Sequence, residues 1–294
     1  MSSYIYNPFA RRESHGAYSL ATYRFLAPLS WVLVVVIGIF YTVRTPDDVS
    51  NSHTIWDNFL LRITPFSVQL TVTQLFWILL LVSQLNYFFH LFSKDGVVAT
   101  EAANLASHFI LHNLFVFAWI MLWTRNHFWP AEVIVIAHFV NQHVTFWRIR
   151  GPAPLTHLGV VAAPYAWTLI LLFWNGAAAA HTFTPASDIA ANVFIWVFFV
   201  IGAVQIFVAV DDLLGYSLSL LSLGLAVEQF ERKSLPRQWI FAWVIFAVFF
   251  VESLYVSATR ASGRTILFRR AAEPESTDAE RAPLLNDSAP AATS

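Results

Sequence analysis

The sequence predicts an all-α polytopic membrane protein, a bundle of about eight transmembrane helices with both termini cytosolic and a disordered C-terminal tail. Three observations lead there. Hydrophobic residues make up 57% of the 294-residue chain and charged residues only 12%, about half the charged share of a soluble domain. The apolar residues come in successive runs of about 20, the length that crosses a hydrocarbon core as a helix, the one open backbone form that satisfies its own hydrogen bonds there. Lys and Arg gather on alternate connections, as the positive-inside rule requires.

Residues 1–24 are polar and contain no apolar core, so no cleavable signal peptide is expected and the first span is the targeting signal. The bundle follows over residues 25–260, and 261–294 form the tail. The first span is 25–43, with Pro28 near its start, where a missing N–H does least harm. A polar connection with a short interfacial helix around 56–62 leads to span two, 66–92. Spans three and four are the hairpin 101–148, broken only by Thr124-Arg125-Asn126. After Gly151, Pro152 and Pro154 come spans at 158–180, 189–210, 213–227 and 238–259.

The 213–227 piece reads either as a short span or as a re-entrant helix, and charge placement decides. If it spans, Arg11, Arg12, Arg24, Lys94, Arg148, Arg150, Arg260, Arg264, Arg269, Arg270 and Arg281 share the cytosolic side, eleven of the 17 Lys and Arg. If it does not, the split falls to nine against eight. Eight spans are therefore expected.

A net charge of −1 gives no basic footprint for nucleic acid, and the absence of cysteine removes thiolate chemistry and disulfides. The tail, low in hydrophobic residues and rich in Pro, Ser, Ala and acidic residues, cannot build a core. Within it Glu280, Leu284 and Leu285 match an acidic dileucine sorting signal, and Asn7-Pro8-Phe9 at the other end matches the tripeptide bound by endocytic adaptor domains. Both imply clathrin-adaptor-type partners and an endosomal or vacuolar membrane rather than a mitochondrial one.

The hairpin carries the candidate binding residues. At about 100° per residue, Glu101, Asn104, His108 and His112 fall within an arc of roughly 80°. His138, Asn141, Gln142 and Thr145 form a comparable stripe on the next helix. These stripes either bind a ligand or join the two helices by hydrogen bonds. His108 and His112, at i and i+4, have the spacing of a metal-ligand pair, with His90, Glu101, His138, His143, Asp211 and Asp212 as further donors. Structural polar packing is the favoured reading, with no metal, no cofactor and no catalytic residue. Glu252, deep in the last span, is a functional candidate by its burial cost alone. Trp119, Trp123, Trp129 and Trp147 bracket the hairpin ends and are expected at the membrane interface.

The stretches LNYFFHLF, ASHFILHNLFVFAWIMLW, HFWPAEVIVIAHFVNQHVTFWR and PYAWTLILLFWNGA resemble a fungal family of multi-pass membrane proteins of unknown function, over roughly residues 25–260. The resemblance implies an integral membrane location and no established substrate or cofactor. The family pattern has Asn where this chain has His138, which speaks against a metal site. A fainter similarity, through Asn113, Trp119 and a Trp-Pro turn, is to the tryptophan-rich translocator and sensory proteins. The expected function is that of a non-enzymatic endomembrane protein whose bundle holds a lipid or small hydrophobic ligand. The alternatives are a proton-coupled or small-solute transporter using Glu252, and an intramembrane metal-dependent lipid hydrolase using His108 and His112.

Overall fold

The computed structural model describes residues 7–149, 153–180 and 184–262. Every regular element among them is helical. The helices are α1 (Ala17–Val43), α2 (Ile55–Leu61), α3 (Leu70–Leu91), α4 (Gly96–Thr124), α5 (Phe128–Arg148), α6 (Pro154–His157), α7 (Ala163–Ala180), α8 (Pro185–Ala209), α9 (Asp212–Arg232) and α10 (Gln238–Ala261). A π turn at Leu158–Ala162 joins α6 to α7 without a break, so Pro154–Ala180 is one rod. The chain divides into two compact units, Met1–Val256 and Ser257–Ser294. In the second, the described residues are the final turns of α10 and Ser262.

The surface is that of a protein surrounded by lipid. On α1 the residues Phe25, Leu29, Val32, Val36 and Ile39 are exposed, and α3, α8 and α10 present similar stripes of Leu, Ile, Val and Phe. A water-soluble protein rarely exposes contiguous apolar patches of this extent. Among the described residues, seven rods are long and apolar enough to cross a membrane. One of them is α9, whose 21 residues give about 32 Å of helix. The short segment expected at 213–227 is therefore a full rod.

The eighth rod, α5, is less apolar on average, and its reason is visible in its faces. Trp129, Val133, Ile136 and Val140 are exposed along one side, while His138, Asn141, Gln142 and Thr145 are buried on the other. Averaging over the helix mixes a lipid-facing stripe with an inward polar one. Hydrogen bonds pair His108 with Asn141 and His112 with His138, so α5 lies antiparallel along α4.

The other rods alternate in the same way. Arg24 near the start of α1 donates to the carbonyls of Leu91 (2.9 Å) and Ser93 (3.0 Å) at the end of α3. At the opposite end, Arg125 after α4 donates to Tyr41 of α1 at 3.1 Å and pairs with Asp48 at 2.9 Å. That guanidinium holds the exposed Asp48 carboxyl below its ordinary pKa by donating a hydrogen bond to it. Gln229 near the end of α9 donates to Thr64 before α3 at 3.1 Å. Phe173 of α7 meets Phe194 of α8 while Tyr165 meets Gln205, the pattern of antiparallel neighbours.

The centre of the bundle is the rod containing α7, not the α4–α5 hairpin. Tyr165, Trp167, Ile170, Trp174 and Asn175 are each no more than 1% exposed. The rod is flanked by α3, α5, α8 and α9. Its π turn brings Gly159 against α3 so closely that a Cβ there would lie 2.8 Å from the carbonyl carbon of Ser83. Only glycine permits that approach, because backbone cannot yield as a flexible side chain can.

Two local expectations change. The helix after the first span is Ile55–Leu61, capped by Thr54, whose side chain accepts from the Asp57 N–H. It does not simply lie at the interface: Asn58 and Phe59 are buried, Asn58 donates to the Trp123 carbonyl at 2.6 Å, and the Phe59 ring is 4.3 Å from Trp174. Trp119 and Trp123, expected as interface anchors, are 4% and 1% exposed and belong to this same aromatic cluster, whereas Trp129 is exposed. An indole at a span end anchors only if its face of the helix meets lipid, and α4 turns this face towards α2 and α7.

Candidate functional site

The two stripes read from the hairpin meet in part. His108 Nδ1 lies 2.8 Å from Asn141 Oδ1, and Asn141 Nδ2 donates back to the His108 carbonyl at 3.2 Å. One turn on, His112 Nδ1 lies 2.7 Å from His138 Nε2 and 2.9 Å from Gln142 Nε2. Thr145 donates to the Asn141 carbonyl at 2.7 Å. With the Gln142 amide as donor, His112 Nδ1 accepts, and His138 Nε2 carries the proton between the rings. A lone pair used in this way is not available to a metal ion. His108 engages Asn141 while His112 engages His138 and Gln142, so the i, i+4 pair does not converge on one point. No group of three metal-ligating side chains is gathered among the described residues.

The remaining candidates go elsewhere. Glu101 is exposed. Asn104 faces away from α5, towards the segment before α1: its amide donates to the Arg12 carbonyl (3.0 Å), accepts from the Arg12 N–H (2.9 Å) and contacts His15 Nε2 (3.0 Å). Glu252 is part-exposed on α10, and its Oε2 is buried with no hydrogen-bond partner among the described residues. His143, a possible further ligand, bonds Tyr165 of α7 at 2.9 Å. His157 pairs with Asp211 at 2.5 Å, tying the end of α6 to the start of α9. Asn7, Pro8 and Phe9 are described; Glu280, Leu284 and Leu285 lie outside the described residues.

The structure adds polar groups that were not singled out. Asn175 of α7 accepts from Trp119 Nε1 at 3.2 Å and donates to Glu132 Oε2 at 2.9 Å and to the Phe128 carbonyl at 3.1 Å. Gln205 of α8 donates to the Tyr165 hydroxyl. Each is a lone amide in an otherwise apolar run, and that isolation was the available signal. Glu132 and His143 thus give α5 a second polar edge, towards α7, beside the one it turns to α4.

The open space lies on the other side of α4. A cavity of about 540 Å³ is bounded by α1, α4 and the segment carrying Pro8 and Phe9. Leu26, Ile110, Leu111 and Leu114 form its apolar wall, and Tyr18, Ser19, Thr22, Tyr23 and Ser107 contribute hydroxyls. Among the described residues, none that lines it is charged. Leu26 and Leu114 are 38% and 45% exposed, so the cavity opens sideways between the two helices.

Residues 188–285 match the model of a fungal protein family of unknown function, DUF1774. The match covers α8 to α10 and part of the chain beyond them, whereas the aromatic-rich stretches that carry the resemblance read from the sequence all precede it. No curated protein and no solved structure matches the chain.

The seam makes a measurable claim. His112→Leu and His138→Leu should each lower stability in detergent by about 1–2 kcal/mol, the range for interhelical polar contacts and orphaned buried donors. The double variant should lose less than the sum, because the second substitution removes a bond already broken. Strictly additive losses would show that the two rings do not share one.

Proposed function

We propose that this protein is a non-enzymatic, eight-span integral membrane protein of the endomembrane system, with both ends in the cytosol, that holds an uncharged hydroxyl-bearing lipid between α1 and α4. The observation that carries the reading is the cavity of about 540 Å³. Its size falls within the range of about 300–1,000 Å³ typical of small-molecule pockets. A wall without charge suits neither a phosphodiester nor a carboxylate, since a buried ion needs a paired partner. The wall is almost wholly apolar, and the hydroxyls of Thr22 and Ser107 donate to the Tyr18 and Pro8 carbonyls, which leaves their oxygens to accept from an alcohol, while the lateral opening admits a ligand from the bilayer.

The closed α4–α5 seam supports the choice against the alternatives. Its imidazoles and amides are engaged with one another, which is how polar groups in hydrocarbon are stabilised structurally. Eight alternating rods return the chain to the side on which it starts. Lys and Arg near that side favour the cytosol. The dileucine at Leu284 and Leu285 and the Asn7-Pro8-Phe9 turn support an endosomal or vacuolar destination.

Two measurements check the reading. Purified protein in nanodiscs should take up a photoreactive sterol or diacylglycerol at α1 and α4, unlabelled alcohol lipid but not phosphatidylserine should compete, and Leu111→Trp should reduce labelling at least about 10-fold by filling the cavity. Labelling unchanged by Leu111→Trp would refute the site. A fluorescently tagged Leu284→Ala, Leu285→Ala chain should leave its normal organelle, and an unaltered distribution would remove the sorting signal.

A further inference from the structure

Residues 7–15 run as a strap across α4. The Asn104 side chain clasps both the N–H and the carbonyl of Arg12 and reaches His15. Ser107 donates to the Pro8 carbonyl at 2.7 Å, and the Phe9 ring lies 5.0 Å from the His108 imidazole. Phe9 is 37% exposed, and the part of its ring that faces α4 is the part set against His108. Asn7 Oδ1 accepts from the Phe9 N–H at 3.0 Å, which fixes the tripeptide in a turn.

We propose that this strap is a masked peptide ligand: Asn7-Pro8-Phe9 is read by a cytosolic domain with an apolar pocket for the phenylalanine, and only after the strap lifts from α4. The ring that would fill such a pocket is the ring resting on His108, and it cannot occupy both. The turn is already formed in the docked state, so release needs separation from α4 rather than refolding of the tripeptide. Docking and release also change what His108 meets. Its Nε2 is buried without a hydrogen-bond partner among the described residues, and lifting Phe9 gives that nitrogen access to water. The strap is thereby held by backbone hydrogen bonds yet leaves one polar atom unsatisfied beneath it, an arrangement suited to two states rather than one.

This inference rests on the cytosolic placement of the N-terminus proposed above, and not on a lipid in the cavity. Pro8 and Phe9 also border the cavity, but masking is read by adaptor affinity and the lipid by labelling of α1 and α4, so the two fail in different measurements.

The test is the affinity of a purified Asn-Pro-Phe-binding adaptor domain for the full chain in nanodiscs, compared with a synthetic peptide of residues 7–15. Apparent affinity scales with the fraction of strap released, so the full chain should bind at least about 10-fold more weakly than the peptide. Asn104→Ala should restore binding to within about 3-fold of the peptide by opening the clasp. Arg12→Pro, which removes the N–H that Asn104 accepts and leaves the bundle's sequence intact, should do the same, and Phe9→Ala should abolish binding in both contexts. Equal affinity of the unaltered chain and the peptide would overturn the proposal, as would a peptide that does not bind, or folded Asn104→Ala and Arg12→Pro chains that bind no better than the original.

Discussion

A polar group in hydrocarbon has to find its partner inside the protein, and the arrangement of this bundle follows from that constraint. A larger share of the side chains of α5 is polar than in α4 or α7, so it cannot face lipid on more than one side. It lies between α4 and α7, where His138, Asn141 and Gln142 meet one neighbour and Glu132 and His143 meet the other. Placing α5 there makes the α7 rod central, and a central rod must be packed from all sides. Its large aromatic residues and the close approach at Gly159 are the means.

The same constraint shows why parts of the architecture were legible and others were not. Span lengths and their alternation could be read because charge and hydropathy change sharply at the membrane boundary. The centrality of α7 could not, since Leu, Val and Trp suit a lipid face as well as a protein interior. Among the candidate residues, His108, His112, His138, Asn141 and Gln142 do come together. Glu101 and Asn104 lie on the same helical arc but separate: the former is exposed, and the latter serves the N-terminal strap. Helical phase gives the direction in which a side chain leaves its helix, whereas the partner waiting there depends on tertiary contacts far away in sequence.

Two faces of α4 differ accordingly. The face towards α5 is closed by reciprocal hydrogen bonds and holds helices together. The face towards α1 retains space, an uncharged lining and hydroxyls, and it is covered at one end by a short strap whose own sequence is a peptide motif. Sequence proximity drew attention to the histidines, but the cavity is assembled from α1, α4 and the strap, elements that no single stretch of sequence displays together.

The central claim is that α5 crosses the membrane with its apolar stripe in lipid and its polar stripe turned inward. The chain contains no cysteine, so single cysteines can be introduced and spin-labelled without further changes. Labels at Trp129, Val133, Ile136 and Val140 should relax strongly with lipid-soluble oxygen and weakly with a water-soluble nickel reagent, while labels at Ala131 and Val135 should be shielded from both. Strong relaxation by the aqueous reagent at Val133, Ile136 and Val140 would contradict the account.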